Sequence, residues 1–320
     1  MRSLMHLVSI PEAVQLLRTG QLVIIPTETV YGLGADATNP QAIEKIYAYK
    51  NRPADNPLIC HFASVAQIEE YVTEIPDIVG ILFQTFAPGP LTILLPVKDN
   101  RLQAATRGQA KVGCRIPRSP ETLELIRRLD RPVAAPSANP STRPSSTCGQ
   151  MALDYFANFP GGVLQAAPAE IGLESTIIDV ENNRVRILRP GTLGVREIQR
   201  VLPGVEVVPY AGSTETIPGQ KYKHYSPRTP IVKLTTLADF PLETSAVLLT
   251  TATHAANYPA KILAPAYYPA TIARNLYATL IALDEAACDR AYWYLPELDE
   301  QAHPTSLELA LREKLTKILR

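Results

Sequence analysis

One stretch of the chain, residues 26–61, constrains the fold more than any other. The apolar run 22–25 just before it predicts a buried strand, and Asn39 followed by proline is a typical N-terminal cap of a helix. That helix would end beside two cations, Lys50 and Arg52, while two threonine hydroxyls follow the strand. A strand, a hydroxyl cluster, a helix and a cation pair in so short a stretch indicate a cleft for an anion.

The composition limits the classes of protein to which the chain can belong. Its 320 residues predict two domains, and 46% hydrophobic residues argue against disorder. The 31 basic and 31 acidic residues give a net charge of zero, so the protein as a whole has no electrostatic preference for nucleic acid or membranes. The N-terminus lacks a signal-peptide pattern and no window is apolar enough to span a membrane, so we expect a cytoplasmic protein. Its four cysteines have no C-x-x-C spacing and are expected to be reduced: Cys60, Cys114, Cys148 and Cys288.

The apolar pattern predicts an α/β protein in which residues 1–208 form the first domain. Its predicted strands are 22–26, 58–62, 91–95, 112–116, 132–135 and a hairpin of 175–180 with 184–189. Its predicted helices are 11–19, 40–50, one capped by Ser64, 78–86, 119–129 and 195–201. Residues 231–320 form a second domain, with strands near 231–234, 246–250 and 292–295 and helices near 271–286 and 306–319. Alternating strands and helices predict a small parallel layer there.

A predicted linker, residues 209–230, joins the two domains. Prolines and glycines are dense in it and the apolar periodicity stops. It nevertheless packs lysines, tyrosines and a histidine together at 221–225, whereas a plain spacer would use glycine, serine or proline. We therefore expect this linker to have a function of its own.

A glycine-rich motif in the first domain matches the dinucleotide fingerprint G-x-G-x-x-A but is placed wrongly for it. In that fold the first glycine directly follows a strand and the helix begins inside the motif. Here Gly32 lies well after the strand that ends near Ile25, and the helix cap comes later, at Asn39. We interpret Gly32 and Gly34 as turn glycines. The sequence also lacks the phosphate-loop, serine-hydrolase and zinc-protease motifs.

Polar residues recur at strand ends, where open α/β sheets bind ligands. Arg115 lies inside an apolar strand, where an unpaired guanidinium would be costly, and Arg189 ends another strand. A charged hydrogen bond contributes only about 1.5–3 kcal/mol, so several must converge to hold a nucleotide. The alternative for Lys50 and Arg52 is that they only complement the helix dipole, and for His61 that it is a core histidine. The residues alone favour a site for a polyanion and a small polar molecule.

Together these stretches resemble the threonylcarbamoyl-AMP synthase family, in its longer form with a YrdC-like domain and a C-terminal domain. The resemblance spans roughly residues 8–228, and Gln220 departs from the family's usual methionine. It implies a YrdC-like twisted mixed sheet with helices, plus a smaller Rossmann-like α/β C-terminal domain. The matching stretches are PTETVYGLGADA, KNRPADNPLICH, GPLTILL, VGCRIP, APSAN, ESTIID, LRPG and PGQKYKHYSP.

The resemblance implies a nucleotidyltransferase that condenses L-threonine, bicarbonate and ATP into L-threonylcarbamoyl-AMP and pyrophosphate. A separate transferase would then modify adenosine in tRNA, and Mg²⁺ would accompany ATP without an assigned carboxylate. The implied threonine pocket, in which Arg115 takes the carboxylate, is Thr29, His61, Arg115 and Ser175. The implied ATP side, of which the first two residues are also catalytic, is Lys50, Arg52, Asn56, Ser137, Asn139, Ser145, Arg189 and Tyr225. Tyr225, with His224, would belong to a lid formed by the linker.

Two other functions remain open at this point. A YrdC-like domain can present a basic concave face to tRNA or double-stranded RNA, although the zero net charge disfavours strong binding that ignores sequence. A related enzyme handles carbamoyl-adenylate for the maturation of a metal centre, but that architecture brings zinc-finger segments and the chain has no C-x-x-C pair.

Overall fold

The computed structural model describes residues 7–156, 161–212, 225–241, 245–286 and 288–319. Within them the chain forms two sheets of different size. The strands of the larger sheet are β1 (Leu7–Val8), β2 (Val23–Ile25), β3 (Gly32–Asp36), β4 (Ile59–His61), β5 (Leu91–Pro96), β6 (Lys111–Arg115), β7 (Val133–Ala134), β8 (Gly162–Leu164), β9 (Thr176–Glu181), β10 (Arg184–Arg189) and β11 (Glu206–Val208). The strands of the smaller sheet are β12 (Ile231–Lys233), β13 (Ala246–Thr251), β14 (Ala260–Ala264) and β15 (Arg290–Trp293).

The larger sheet is mixed, with the order β1-β8-β2-β3-β7-β4-β6-β5-β9-β10-β11. Parallel pairs such as β4 with β6 alternate with antiparallel pairs such as β5 with β6. The helices that accompany it are α1 (Ile10–Arg18), α2 (Pro40–Lys50), α3 (Val65–Glu69), α4 (Asp77–Phe86), α5 (Gln103–Thr106), α6 (Pro120–Leu129), α7 (Gly149–Tyr155) and α8 (Val195–Val201). Together with the second domain described next, this confirms the predicted α/β class.

The second domain is built on the smaller sheet, which is entirely parallel and has the order β12-β15-β13-β14. Its helices are α9 (Ala252–Ala255), α10 (Pro269–Glu285), α11 (Pro296–Glu300) and α12 (Ser306–Ile318). The parallel layer confirms the prediction made from the alternation of strands and helices. None of the helices in the described ranges has both the length and the apolar character needed to cross a bilayer.

Local sequence signals account for many of the element boundaries. Asn39 accepts a hydrogen bond from the backbone of Ala42 at 3.2 Å and so caps α2, and Ser64 caps α3 in the same way. The predicted hairpin forms as the antiparallel pair β9 and β10. Thr305 and Glu308 form a capping box at the start of α12. Caps depend on residues only three positions apart, which is why the sequence alone reveals them.

The interpretation of Gly32 and Gly34 as turn glycines is wrong, because both lie within strand β3. A side chain on Gly32 would meet the methyl group of Ala135 at 3.0 Å, and one on Gly34 would meet Val133 at the same distance. The glycines therefore permit the close packing of β3 against the segment that contains β7. That requirement comes from residues about a hundred positions away and leaves no local signature.

The two domains share a buried contact near the start of strand β9. Val30 and Leu173 of the first domain pack in one apolar cluster with residues of α10 such as Leu276. Gly172 allows this approach, since it has a φ of +79° and a side chain there would lie 2.5 Å from the backbone of α10. The second domain thus lies against the loop that leads into β9.

Candidate active site

The structure forms a cleft over the middle strands of the large sheet, with about 740 Å³ of space between atoms, part of it open to solvent. The loops that follow β2 and β7 meet here with the ends of β4, β6, β10 and α2. The lining residues include ten of the predicted site residues, namely Thr29, Lys50, Arg52, His61, Arg115, Ser137, Asn139, Ser175, Arg189 and Tyr225. Four cations from three distant parts of the sequence therefore face a single cavity.

Lys50 and Arg52 enter the cleft from the C-terminal end of α2. Lys50 is buried and its ammonium donates to the carbonyl oxygen atoms of Ser137, at 2.5 Å, and Asn139. Burial, and then the charge of Arg52, lower the pKa of Lys50 well below its ordinary value. Arg52 donates to the backbone and side-chain oxygens of Asn56 at 3.0 and 2.6 Å, and burial lowers its pKa to about 10. A bound anion would relieve this destabilisation of both cations.

Asn56 supports the site without lining it. Its side-chain oxygen and its carbonyl oxygen hold the guanidinium of Arg52, and the carbonyl also accepts from the hydroxyl of Tyr47 at 2.8 Å. The structure therefore places the predicted ATP-side residue Asn56 behind Arg52.

A buried ion pair fixes Arg115 at the floor of the cleft. Its Nη2 donates to Glu28 Oε1 at 2.8 Å, and the other carboxylate oxygen accepts from the backbone of Arg118 at 3.0 Å. Burial alone would raise the pKa of Glu28, but the charge of Arg115 and these hydrogen bonds lower it below its ordinary value. Glu28 was not among the predicted site residues, because its partner lies far along the chain.

His61 lies beside Arg115, since β4 and β6 pair these two residues directly. Burial, and then the charge of Arg115, lower the pKa of His61 to about 3, so its imidazole is neutral. Its Nδ1 is buried and has no hydrogen-bond partner among the described residues. A neutral histidine with an open ring nitrogen is prepared to bind a polar ligand, which distinguishes it from a satisfied core histidine.

Ser175 connects the two predicted halves of the site. Its hydroxyl lies 2.8 Å from that of Thr92, and its carbonyl oxygen and hydroxyl accept from Arg189 at 2.8 and 3.0 Å. Arg189 is the last residue of β10 and Ser175 immediately precedes β9, so the antiparallel hairpin brings them together.

Glu174 brings a second unpredicted carboxylate to the cleft. Its Oε1 accepts from the hydroxyl of Ser145 at 2.7 Å, so the predicted ATP-side residue Ser145 lies behind Glu174 and does not itself line the cavity. Burial is the largest influence on Glu174 and would raise its pKa, but Lys314 and then Arg189 lower the pKa to about 2. Glu174, which lines the cleft, and Glu28, which lies behind Arg115, are thus both ionised.

Tyr225 closes one side of the cleft at the end of the predicted linker. Its ring is buried and stacks on that of Tyr277 of α10, with centroids 5.4 Å apart and planes at 25°. The backbone of Ser226, the next residue, donates to the carbonyl oxygen of Thr142 at 2.8 Å. The other predicted lid residue, His224, lies outside the described residues, as do residues 213–223 of the linker.

The described residues do not offer a protein cage for a divalent metal. No group of three histidine, cysteine or acidic side chains is arranged for a metal among them. The two carboxylates nearest the cleft are already engaged, Glu28 by Arg115 and Glu174 by Ser145. These described residues therefore do not fit a Mg²⁺ ion held mainly by protein carboxylates.

Comparison with known families decides which family this is. A family model named Sua5_yciO_yrdC, described as telomere recombination, matches residues 15–191. The chain belongs to the Sua5/YciO/YrdC family. A second model, described as the C-terminal domain of threonylcarbamoyl-AMP synthase, matches residues 193–317 and confirms that this is the longer form of the Sua5/YciO/YrdC proteins.

Several relatives of known function belong to the same Sua5/YciO/YrdC group. A threonylcarbamoyl-AMP synthase of Pyrococcus abyssi is 41% identical over 220 residues, and one of Bacillus subtilis is 39% identical over 226 residues. These alignments cover 68% and 69% of this chain and 65% of each relative's length. A crystal structure of P. abyssi Sua5 complexed with L-threonine is 33% identical with a TM-score of 0.85, covering 97% of this chain and 94% of that one.

Proposed function

We propose that the protein is an L-threonylcarbamoyl-AMP synthase, a nucleotidyltransferase that converts L-threonine, bicarbonate and ATP into L-threonylcarbamoyl-AMP and pyrophosphate. The observation that carries the proposal is the convergence of Lys50, Arg52, Arg115 and Arg189 on one cleft. The names of the curated relatives and the threonine complex of the similar P. abyssi protein support it.

The threonine side of the cleft would be the part around Arg115 and His61. Arg115 donates through Nη2 to Glu28 and through Nε to the carbonyl oxygen of Gly89, so Nη1 would be its main donor to the carboxylate of threonine. The open Nδ1 of neutral His61 suits a hydroxyl or ammonium group beside it. The hydroxyls of Thr29 and Ser175 line the same cleft and would complete this polar pocket.

The ATP side would be the part around Lys50, Arg52 and Arg189. These cations would bind the phosphates, with Arg52 supported by Asn56 and Arg189 by Ser175. Asn139 Oδ1 is buried without a partner among the described residues, so it is available to a donor on the nucleotide. The nucleotide would arrive as its Mg²⁺ complex, and the ion would neutralise part of the phosphate charge.

The chemistry requires positioning and charge neutralisation more than a covalent nucleophile. The threonine amine attacks the bicarbonate carbon, and loss of water leaves a carbamate. A carbamate oxygen then attacks the α-phosphorus of ATP, and pyrophosphate leaves. All the reactants carry anionic groups, so the cations of the cleft reduce the repulsion between those groups as the reactants approach.

A carbamate decomposes readily in water, so closing the cleft over the bound substrates would protect this intermediate from water. Tyr225 already covers one side of the cavity. We infer that the linker 209–230 acts as a lid over the occupied site, with His224 and Tyr225 as its contacts to the substrates.

A pyrophosphate-release assay tests the proposed function directly. Purified protein receives ATP and Mg²⁺ with threonine, with serine or with no amino acid, and each with and without bicarbonate. Release should require both threonine and bicarbonate and should be slower with serine. Release at the same rate without an amino acid, or no release in any mixture, would show that the function is a different one.

The product would be consumed by another enzyme. We infer a tRNA threonylcarbamoyl transferase downstream, because a mixed anhydride of a carbamate and AMP is activated for transfer to an amine. The reaction would take place in the cytoplasm, where ATP is available. The alternative of an RNA-binding module finds little support in the cleft, since Lys50, Arg115 and Arg189 are 2–4% exposed and cannot meet the backbone of a duplex.

A further inference from the structure

The cleft contains a buried carboxylate, Glu174, whose negative charge would oppose the binding of ATP phosphates. It lines the cavity next to Ser175, and its side chain is only 9% exposed. The hydroxyls of Ser145 and Tyr277 donate to it at 2.7 and 2.9 Å, but hydroxyl groups do not cancel its charge. An uncompensated carboxylate in a low-dielectric cleft would repel a polyphosphate, so its compensation matters for binding.

The compensating cation comes from the second domain. Lys314 of α12 is fully buried, and its ammonium lies 3.4 Å from Glu174 Oε2. A second acid, Glu313, lies 3.1 Å from the same ammonium and also pairs with Lys317 one turn further along the helix. The two acids and two lysines of this cluster balance one another, so the carboxylate of Glu174 adds no net negative charge.

Lys314 also contacts the end of the linker. Its ammonium lies 4.8 Å from the centre of the Tyr225 ring, within range of a cation–π interaction. The Tyr225 ring in turn stacks on Tyr277, whose hydroxyl binds Glu174. One lysine of the second domain therefore contacts both the acid and the aromatic wall of the cleft.

We propose that Lys314 is a positioning residue that neutralises Glu174 and thereby allows the cleft to accept a polyphosphate. This rests on the proposed function only in taking ATP as that polyphosphate. It also gives the second domain a defined task, which is to place a positive charge beside Glu174 in addition to that of Arg189 in the first domain. A chain that ended before α12 would leave Glu174 without it.

The test measures binding of ATP and of inorganic pyrophosphate to the full-length chain by titration calorimetry at fixed ionic strength. In Lys314→Met, which keeps most of the side-chain volume, both ligands should bind at least about tenfold more weakly. The affinity for L-threonine should change less than about twofold, since Arg115 and Glu28 are unaltered. The matched control is Lys233→Met, which removes an exposed lysine of the second domain that pairs with Asp299 outside this cluster, and it should retain wild-type affinity for pyrophosphate.

A second substitution separates charge compensation from a merely structural role. In the double variant Lys314→Met with Glu174→Gln, both charges are absent while glutamine can still accept from Ser145. Affinity for pyrophosphate should return to within about threefold of the wild type. Unchanged affinity in Lys314→Met, a double variant as weak as the single one, or a wild-type chain that binds neither ligand would each overturn the proposal.

The same measurements distinguish this inference from the proposed function. A wild-type chain that binds pyrophosphate through Lys314 but shows no threonine-dependent turnover would contradict the synthase and uphold the inference. If the wild type shows threonine-dependent pyrophosphate release and the Lys314→Met variant binds ATP as tightly as the wild type, the synthase function is supported and the inference about Lys314 is wrong.

Discussion

Backbone carbonyl oxygens hold most of the cations in this cleft. Lys50 donates to the carbonyls of Ser137 and Asn139, and Arg189 donates to that of Ser175. A carbonyl satisfies a donor and fixes its direction, but it carries no charge and leaves the positive charge available to a ligand. Arg115 differs because Glu28 neutralises it in part.

The first prediction concerns Lys50. Lys50→Met keeps the length and apolar stem of the side chain and removes its charge. We expect threonine-dependent pyrophosphate release to fall by about 10²-fold, the usual effect of losing one preorganised donor at a developing charge. Steady-state kinetics would measure it, with circular dichroism as the check on folding. The matched control is Lys233→Met, because Lys233 lies on the exposed side of the second domain and pairs with Asp299. Equal activity of the two variants would remove Lys50 from the reaction.

The second prediction concerns the neutral state of His61. Its pKa is about 3 in the folded protein and about 6.5 when unfolded, so only the unfolded chain binds this proton at mildly acidic pH. The free energy of unfolding should therefore fall as the pH decreases below 6.5. Between pH 7 and pH 5 this amounts to about 2 kcal/mol.

Urea unfolding of the wild type and of His61→Gln at both pH values isolates this contribution, because the other titrating groups are common to both proteins. The wild type should lose about 2 kcal/mol more than the variant over this range. Equal losses would mean that His61 is accessible to protons in the folded state.

At the scale of secondary-structure elements, the end of helix α2 determines the positions of Lys50 and Arg52. Asn39 caps its start, Lys50 is its last residue, and Asn51 follows in the left-handed conformation with φ 48°. The turn is closed by a hydrogen bond from the backbone of Arg52 to the carbonyl of Tyr47 at 2.9 Å. Residues two positions apart on a continuous helix point to different sides. Because the helix ends at Lys50 and the chain turns at Asn51, Lys50 and Arg52 can both face the same cleft.

The third prediction tests this turn. Asn51→Ala places a β-carbon in a conformation that favours glycine and asparagine, and it should lower the free energy of unfolding by about 1 kcal/mol. Asn51→Gly is the matched control and should cost no more than a few tenths of that. Chemical denaturation would measure both. Equal destabilisation by alanine and glycine would show that the asparagine side chain, and not the backbone conformation, is what matters.

Elements that depend on nearby residues could be predicted, and those that depend on distant ones could not. The caps at Asn39 and Thr305 follow from residues three positions away. Strand β3 was missed because its glycines make sense only beside Ala135. In the site the sequence identified Arg115 and Arg189 from their predicted strands, and Lys50 and Arg52 from the end of a predicted helix. It did not reveal Glu28 and Glu174, whose ion-pair partners lie 87 and 140 residues away.

At the scale of the whole molecule, the second domain is joined to the site at several independent points. Asp284 at the end of α10 pairs with Arg143 and accepts from the backbone of Arg228 at 2.7 Å. Ser306 of α12 donates to Glu197 of α8 at 2.6 Å. These polar contacts surround the buried contact of Leu173 with α10. The loop that carries Ser145 and the segment that carries Glu174 are thus both anchored from outside the large sheet.

The fourth prediction follows from this anchoring. A chain shortened to residues 1–208 keeps all eleven strands of the large sheet, so it should remain folded by circular dichroism and limited proteolysis. It loses Tyr225, Tyr277 and Lys314, which cover the cleft and balance Glu174. Threonine-dependent pyrophosphate release should therefore fall by at least about tenfold. The opposite result would be a shortened chain that keeps full turnover and binds nucleotide as tightly as the full-length protein does. That result would show that the first domain closes and neutralises its site unaided, and that the lid proposed for the linker has no role.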